Sequence, residues 1–174
     1  MVYVNATMKK DMKSRGFTLM EIMIGVSIMM IISGLSLASF TFSQRKSRDA
    51  KRKSSLAQIS RALEVFNEDF GRYPESLNGE IIGCQPTAED ELEDCAWGGE
   101  LSAYPDGVYQ LYMSKLPEDP KISFEYYYES DGEDINLYAA LENDQDKDYR
   151  SDLILDCGGS LCSYLLTEYG VTVE

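Results

Sequence analysis

Residues 13–44 read KSRGFTLMEIMIGVSIMMIISGLSLASFTFSQ. From Ile22 to Gln44 this stretch has 23 consecutive residues without a charge, mostly Ile, Met, Leu, Val and Phe. A helix rises ~1.5 Å per residue, so the run is long enough to cross ~30 Å of hydrocarbon. Small residues such as Gly25 and Gly34 let neighbouring helices approach closely. We therefore expect residues 17–44 to form a transmembrane helix whose small residues allow close packing against neighbouring helices.

Glu21 is the only charged residue within 17–44. An ionised carboxylate costs ~2.5–3.5 kcal/mol at the centre of a bilayer, so such a residue normally has a partner or a role. The alternative is that Glu21 simply lies at the membrane surface, within reach of Arg15 and Lys13.

The residues around Glu21 carry a specific resemblance. A short basic leader ends at Gly16, and the letters FTLME of residues 17–21 open the apolar helix. This pattern resembles the class III signal of the type IV prepilin and pseudopilin family. The resemblance implies that a prepilin peptidase removes residues 1–16, cutting between Gly16 and Phe17, and then N-methylates Phe17.

The resemblance also implies that Glu21 serves filament assembly. We expect its carboxylate to pair with the cationic amine of Phe17 in a neighbouring subunit, because pairing relieves two poorly solvated charges at once.

Two features depart from the family pattern. Many relatives have a proline about twenty residues into the mature chain, where residues 34–38 here read GLSLA. The leader is also long, so Met1, Met8 and Met12 are all candidate starts.

Charge divides the chain into blocks. The leader carries four bases against Asp11, residues 45–61 carry seven bases against Asp49, and residues 62–174 carry five bases against 27 acids. The whole chain has a net charge of −14 and no histidine, which excludes His-based triads, His general bases and His-ligated metals. The blocks indicate a targeting head, a membrane element, a basic neck and an acidic soluble body.

The charge evidence on membrane orientation conflicts. The leader bases favour a cytoplasmic N-terminus, but the six bases between Arg45 and Lys53 favour the opposite. The family resemblance implies a single-pass precursor in the inner (cytoplasmic) membrane, with its globular part outside the cytoplasm. Assembly then places the subunit in an extracellular or periplasmic filament.

The basic neck is predicted to belong to an amphipathic helix over residues 45–70. Apolar residues step by three or four positions and form one stripe: Leu56, Ile59, Leu63, Phe66 and Phe70. Gly and Pro are absent from Leu35 to Phe70, so we expect this helix to continue from the membrane segment. The bases fit anionic lipid headgroups or the acidic bodies of neighbouring subunits, with DNA as an alternative.

The body, residues 71–174, begins where the letters GRYP at 71–74 end the helix. A loop-rich segment follows at 75–107, and LPEDP stands at 116–120. Both GRYP and LPEDP resemble the major-pseudopilin branch of the family.

Alternating residues at 124–129 and 135–141 flank a turn-forming segment and predict a β-hairpin. Short runs at 153–155 and 164–166 complete a small antiparallel sheet. We expect an α+β fold in which the long N-terminal helix packs on this sheet, the ladle form of pilins.

The four cysteines all lie in the body, and four cysteines permit three pairings. Local pairing, Cys84–Cys95 and Cys157–Cys162, is favoured because each pair brackets a loop. Disulfides indicate an oxidising, extracytoplasmic location. The alternative is one zinc ion held by all four thiolates, although the spacing lacks the short pairs of zinc knuckles.

Asp144, Asp146 and Asp148 form the candidate metal motif. Alternating aspartates in a loop aim hard oxygens at a Ca²⁺ ion, but the glycine and terminal glutamate of an EF-hand are absent. The major-pseudopilin branch binds calcium in a loop after its hairpin, which suggests the same location here. The alternative is a solvated acidic turn. No other cofactor is predicted.

The resemblance implies a structural subunit of a type IV pilus or a type II secretion-like pseudopilus, and not an enzyme. Its partners are then other copies of itself, the prepilin peptidase and N-methyltransferase, an inner-membrane assembly platform, and lipid before assembly. The alternative is a minor or competence pilin that binds DNA or a surface ligand. Acids are abundant, but no nucleophile and base are arranged as a catalytic pair.

Overall fold

The computed structural model describes residues 16–171, and at residues 35–39 it describes the backbone only. The predicted leader, apart from Gly16, lies outside the described residues. The chain divides into two compact units, of which the first ends at Thr41 and the second begins at Phe42. Within residues 16–171, we find no helix with the length and apolar character needed to cross a membrane.

The helix α1 spans Leu19–Phe70, so the continuity predicted from the lack of Gly and Pro is observed. In the second unit its apolar stripe faces the core. Leu56, Ile59 and Leu63 are completely buried there, and Phe66 stacks on half-buried Phe70 with ring centroids 4.2 Å apart. Each buried aliphatic side chain contributes about 2 kcal/mol to folding, so this stripe anchors the helix to the body.

Nine short strands follow α1 in the described part of the body. The first sheet has the order β1 (Glu75–Leu77), β2 (Glu80–Cys84) and β3 (Glu93–Cys95), and all its pairs are antiparallel. Asn78 and Gly79 form the two-residue turn between β1 and β2, with φ of 54° and 90°. An Asn-Gly pair suits this turn because both central residues need a positive φ.

The second sheet pairs β4 (Leu101–Ala103) with β5 (Gln110–Met113), and a short 3₁₀ turn at Pro105–Gly107 lies between them. The third sheet has the order β6 (Tyr127–Ser130), β7 (Ile135–Ala139), β8 (Tyr164–Thr167) and β9 (Gly170–Val171). Its pairs are also antiparallel, and Ser130 faces Ile135 across the predicted hairpin turn.

The α+β prediction is confirmed, because the buried stripe of α1 shares one core with residues of the antiparallel strands. The strand residues in that core include Ile81, Leu101, Tyr128, Ile135, Leu137 and Leu166. The prediction of a single sheet is wrong, since the strands form three. The segment at 75–107, expected to be loop-rich, contains four of the nine strands.

Two strand predictions need correction. Residues 153–155 form no strand, and the nearest pairing is an isolated bridge between Asp156 and Leu161. The strand expected from Phe124 begins only at Tyr127. The amide of Phe124 donates to the Lys121 carbonyl in a turn, and the amide of Glu125 donates to the Cys157 carbonyl. These backbone groups are therefore engaged outside the sheet.

Candidate functional site

The start of α1 holds the residues that the sequence assigns to processing and assembly. Gly16 and Phe17 lie in an irregular segment before the helix, and the Phe17 side chain is 79 % exposed. The amide of Glu21 donates to the Thr18 hydroxyl at 3.2 Å, and the amide of Thr18 donates to the Glu21 carboxylate at 3.4 Å. This reciprocal pair is a capping box, which satisfies two amides at the helix start.

The capping box gives Glu21 a partner within its own chain. Its carboxylate turns back toward Thr18 at the N-terminal end of α1, where the helix dipole favours a negative charge. The cut at Gly16/Phe17, the methylation of Phe17 and the pairing of Glu21 with a neighbour stay predictions, because they concern a processed chain and a second copy.

The first unit presents apolar side chains to its surroundings. One side of the helix forms an open apolar groove, lined by Met20, Met23, Ile24, Ser27, Ile28 and Ile31. A side chain built at Gly25 or Gly34 would meet no atom within 4 Å. Large exposed apolar surfaces mark interaction sites with lipid or protein, so this helix segment has the character of an assembly or membrane surface.

The seven bases of residues 45–61 divide into two groups. Four are exposed: Arg45, Lys46, Lys51 and Arg61. The other three, Arg48, Arg52 and Lys53, turn toward the body and form ion pairs with its acids. Nearly half of the basic neck therefore holds the folded body together, a role that the sequence analysis did not assign.

Arg52 is the centre of a buried ion cluster and is completely inaccessible to solvent. Its guanidinium donates to both oxygens of Asp119 at 2.7 and 2.8 Å, to Asp49 at 2.6 Å and to Glu142 at 3.0 Å. Arg48 makes a two-pronged contact with the same Glu142 at 2.6 and 2.7 Å. Paired N–H groups on one carboxylate fix geometry as well as charge.

The cluster joins α1 to two loops. Asp119 lies in the LPEDP segment, and Glu142 follows β7. Both oxygens of Asp49 also accept backbone amides of that second loop, from Glu142 and Asn143 at 3.0 Å each. Removing one member of a buried, hydrogen-bonded charge cluster strands the others and typically costs about 3–5 kcal/mol.

The electrostatics of the cluster favour the charged form of each shifted group. Burial lowers the pKa of Arg52, but the surrounding carboxylates outweigh burial and raise that pKa overall. The hydrogen bond from Arg48 is the largest cause that lowers the pKa of Glu142, from 4.5 to about 2. Arg48, Arg52 and Glu142 are thus charged at neutral pH.

A pattern in the sequence could have revealed the cluster. Asp49 and Arg52 precede Leu56 and Ile59 at the same spacing of three and four residues that defines the apolar stripe. They therefore lie on the face of α1 that packs against the body. Charged residues that continue a buried stripe need buried partners.

The three candidate metal ligands do not come together as a metal site. Asp144 is exposed, whereas Asp146 and Asp148 both accept hydrogen bonds from the ammonium group of Lys53. Among the described residues there is no group of three or more Cys, Asp or Glu placed to hold a metal ion. As arranged, these aspartates do not fit Ca²⁺, and its binding stays a prediction.

The cysteines form two local disulfides, Cys84–Cys95 and Cys157–Cys162. These are the pairings that the sequence analysis favours over a four-thiolate zinc site. The first bridge joins β2 to β3, and the second closes a short loop whose cysteines are buried with Phe124.

Comparison with known proteins identifies relatives for more than the N-terminus. The family described as "Prokaryotic N-terminal methylation motif" matches residues 11–37. Several relatives carry the name type II secretion system core protein G. The one from Klebsiella michiganensis is 31 % identical over 108 residues, which cover 61 % of this chain and 67 % of the relative.

Two further relatives with that name show the same relationship. The Klebsiella pneumoniae protein is 29 % identical over 109 residues, covering 62 % of this chain and 69 % of the relative. The Vibrio cholerae protein is 28 % identical over 127 residues, covering 72 % of this chain and 77 % of the relative. No solved structure matches the chain. The methylation motif, the exposed apolar helix and these relatives together show the family. The chain belongs to the prepilin and pseudopilin family that includes type II secretion system core protein G.

Proposed function

We propose that this chain is a structural subunit of a type II secretion-like pseudopilus and polymerises through its N-terminal apolar helix after leader cleavage. The observation that carries the proposal is the similarity to core protein G over 108 residues or more. The methylation motif covers only residues 11–37, so the similarity also includes much of the neck or body. The relatives' name favours a pseudopilus over a type IV pilus.

The proposed processing follows the motif. A prepilin peptidase removes residues 1–16 and methylates Phe17, residues 17–44 anchor the precursor in the inner membrane and then pack in the filament, and residues 45–70 join them to the body, 71–174. The exposed apolar groove of the first unit supports this role, because a lone chain leaves it uncovered. Polymerisation needs an assembly platform but no catalysis by the subunit itself.

Glu21 is the proposed assembly residue. In one chain its carboxylate accepts the Thr18 amide at 3.4 Å, a long and exposed hydrogen bond. A cationic amine on Phe17 of a neighbouring copy is a stronger partner in an apolar surrounding, because each charge neutralises the other. Glu21 thus has a weak partner before assembly and a strong one after it.

The intramolecular ion pairs weigh against the alternative of a DNA-binding pilin. Binding to DNA gains affinity from each base that neutralises a phosphate. Arg48, Arg52 and Lys53 already pair with acids of the body, which leaves four exposed bases, and residues 62–174 carry a net charge of −22. The neck is thus better suited to meet acidic surfaces of other subunits or lipid headgroups.

Mass spectrometry of the intact protein and its N-terminal peptide tests the proposal in cells that carry a prepilin peptidase. We expect a chain that begins at monomethylated Phe17, with a mass four hydrogens below the reduced value because of two disulfides. Chains that keep the leader and stay in the membrane fraction would contradict it.

Glu21→Gln tests the assembly role, with Glu68→Gln as the matched control on an exposed position of α1. We expect the Glu21 variant to be inserted and processed but to be missing from sheared filaments, whereas the Glu68 variant assembles normally. Filaments in normal yield from Glu21→Gln would refute the role given to this carboxylate.

A further inference from the structure

The loop with the alternating aspartates already holds a cation. The ammonium group of Lys53, on α1, donates to Asp146 Oδ1 and, at 2.8 Å, to Asp148 Oδ2. Asp144, the third member of the pattern, points into solvent. Lys53 is 93 and 95 residues away from its two partners in sequence, so the contact fastens the loop to the helix.

The contact between Lys53 and the two aspartates is largely buried in the body. The Lys53 and Asp146 side chains are each 22 % exposed, and the Asp148 side chain is 8 % exposed. The ring of Tyr164, on β8, lies 5.4 Å from the ammonium nitrogen and adds a cation–π contact. Partly desolvated charges of this kind interact more strongly than exposed pairs.

The loop backbone is folded around the same carboxylate. The amide of Asp148 donates to Asp146 Oδ1 at 3.0 Å, and the amide of Tyr149 donates to the Asp146 carbonyl at 3.0 Å. The amide of Asp146 in turn donates to the Asn143 carbonyl at 3.2 Å. Asp146 is therefore oriented by its own loop toward Lys53.

The protonation of the groups agrees with this geometry. Burial lowers the pKa of Lys53, but its hydrogen bonds to the two aspartates outweigh burial and raise it. The hydrogen bond from Lys53 is the largest cause of the lowered pKa of Asp148. All three groups are charged at neutral pH.

A divalent metal and the ammonium group compete for this position. Ca²⁺ takes six to eight oxygen ligands at roughly 2.3–2.6 Å, so it would need both aspartates and would have to displace Lys53. An ammonium group needs only hydrogen-bond acceptors, of which these two carboxylates already supply two.

We propose that Lys53 is the resident cation of the loop and stands in the place that the three-aspartate pattern would give to a divalent metal. The fold of residues 143–149 then needs no metal. Removing the ammonium group leaves two close, partly buried carboxylates, which makes the loop dependent on an external cation.

Thermal unfolding of the full chain in mild detergent tests this inference. We expect the wild-type midpoint to be the same in EGTA and in millimolar CaCl₂. Lys53→Met should lower the midpoint by about 5 °C in EGTA, since it removes charged hydrogen bonds from a partly buried site. CaCl₂ should restore at least half of that loss.

The matched control is Lys147→Met. Lys147 contacts the same Asp148 at 3.2 Å but is 88 % exposed, so its loss should leave the midpoint and the calcium response unchanged. In a Lys53→Met, Asp146→Asn double variant the calcium response should disappear.

Four results would each overturn the inference. They are a wild-type midpoint that rises with CaCl₂, a Lys53 variant as stable as wild type in EGTA, a Lys53 variant that ignores CaCl₂, and a double variant that still responds. Calorimetric titration of folded wild type with CaCl₂ gives an independent reading, and heat of specific binding there also overturns the proposal.

Discussion

Replacing Glu142 with glutamine removes one carboxylate from the buried cluster and keeps the shape of the side chain. Glu142 is 13 % exposed and accepts from Arg48 and Arg52. Its pKa falls from 4.5 to about 2 on folding, a gap worth about 3 kcal/mol at ~1.4 kcal/mol per pH unit. Arg48 is 31 % exposed, and solvent screening there reduces the expected value to about 2 kcal/mol.

The pH dependence identifies the carboxylate as the cause. A carboxyl group whose pKa is lowered in the folded state stabilises the protein above its unfolded pKa of about 4.5, and this contribution is lost as the pH falls toward 2. We therefore expect Glu142→Gln to lose about 2 kcal/mol of unfolding free energy at pH 7, and less than about 1 kcal/mol at pH 3.

Urea unfolding of the full chain at both pH values measures these differences. Glu118→Gln is the matched control, because Glu118 is 61 % exposed and its ion pair with Lys115 is long, at 3.5 Å. The control should stay within about 0.5 kcal/mol of wild type. A Glu142 variant with the same deficit at pH 7 and pH 3 would show that packing, and not the charge, is responsible.

Three further variants probe the body, each checked by urea unfolding. Tyr128→Phe should cost about 1–2 kcal/mol, since the buried Tyr128 hydroxyl donates to the Pro74 carbonyl at 2.7 Å; an unchanged midpoint would contradict this. Replacing both Cys157 and Cys162 with serine opens a loop with a sequence separation of five and should cost about 2 kcal/mol. Wild type under reducing conditions should lose more than this, because reduction also opens the Cys84–Cys95 bridge. Gly158→Ala should cost about 1–3 kcal/mol, because φ there is +72° and a Cβ would lie 3.0 Å from a backbone nitrogen; a neutral effect would mean that the loop relaxes.

The helix and its buried stripe follow from local sequence. The spacing of Leu56, Ile59, Leu63 and Phe66 predicts the face that packs on the body, and the structure buries all four. The β6–β7 hairpin was also predictable, because alternation on both sides of a turn-forming segment is a short-range signal. The Asn78-Gly79 turn offered a similar signal for β1 and β2 that the sequence analysis did not use.

The errors concern segments whose conformation depends on distant partners. The run at 153–155 has strand-like residues, but in the described structure it pairs with no strand, and β8 already has β7 and β9 as its two neighbours. The amide of Glu125 donates to the carbonyl of Cys157, so this backbone group is not available for sheet pairing and β6 begins only at Tyr127. Strands of three residues carry too little pattern to be distinguished from loops, which explains the missed β3 and β4.

The sequence by itself determined the N-terminal part of this protein: the leader pattern, the apolar run, and the Thr18–Glu21 capping pair all depend on neighbours within a few residues. It also determined that a charged neck precedes an acidic body. Only the tertiary structure decided which bases of that neck form ion pairs with the body, because Arg52 and Lys53 pair with acids 67 to 95 residues away in sequence. Opposite charges attract at any separation in sequence. The composition therefore shows which charged side chains are present, but packing decides which of them form pairs.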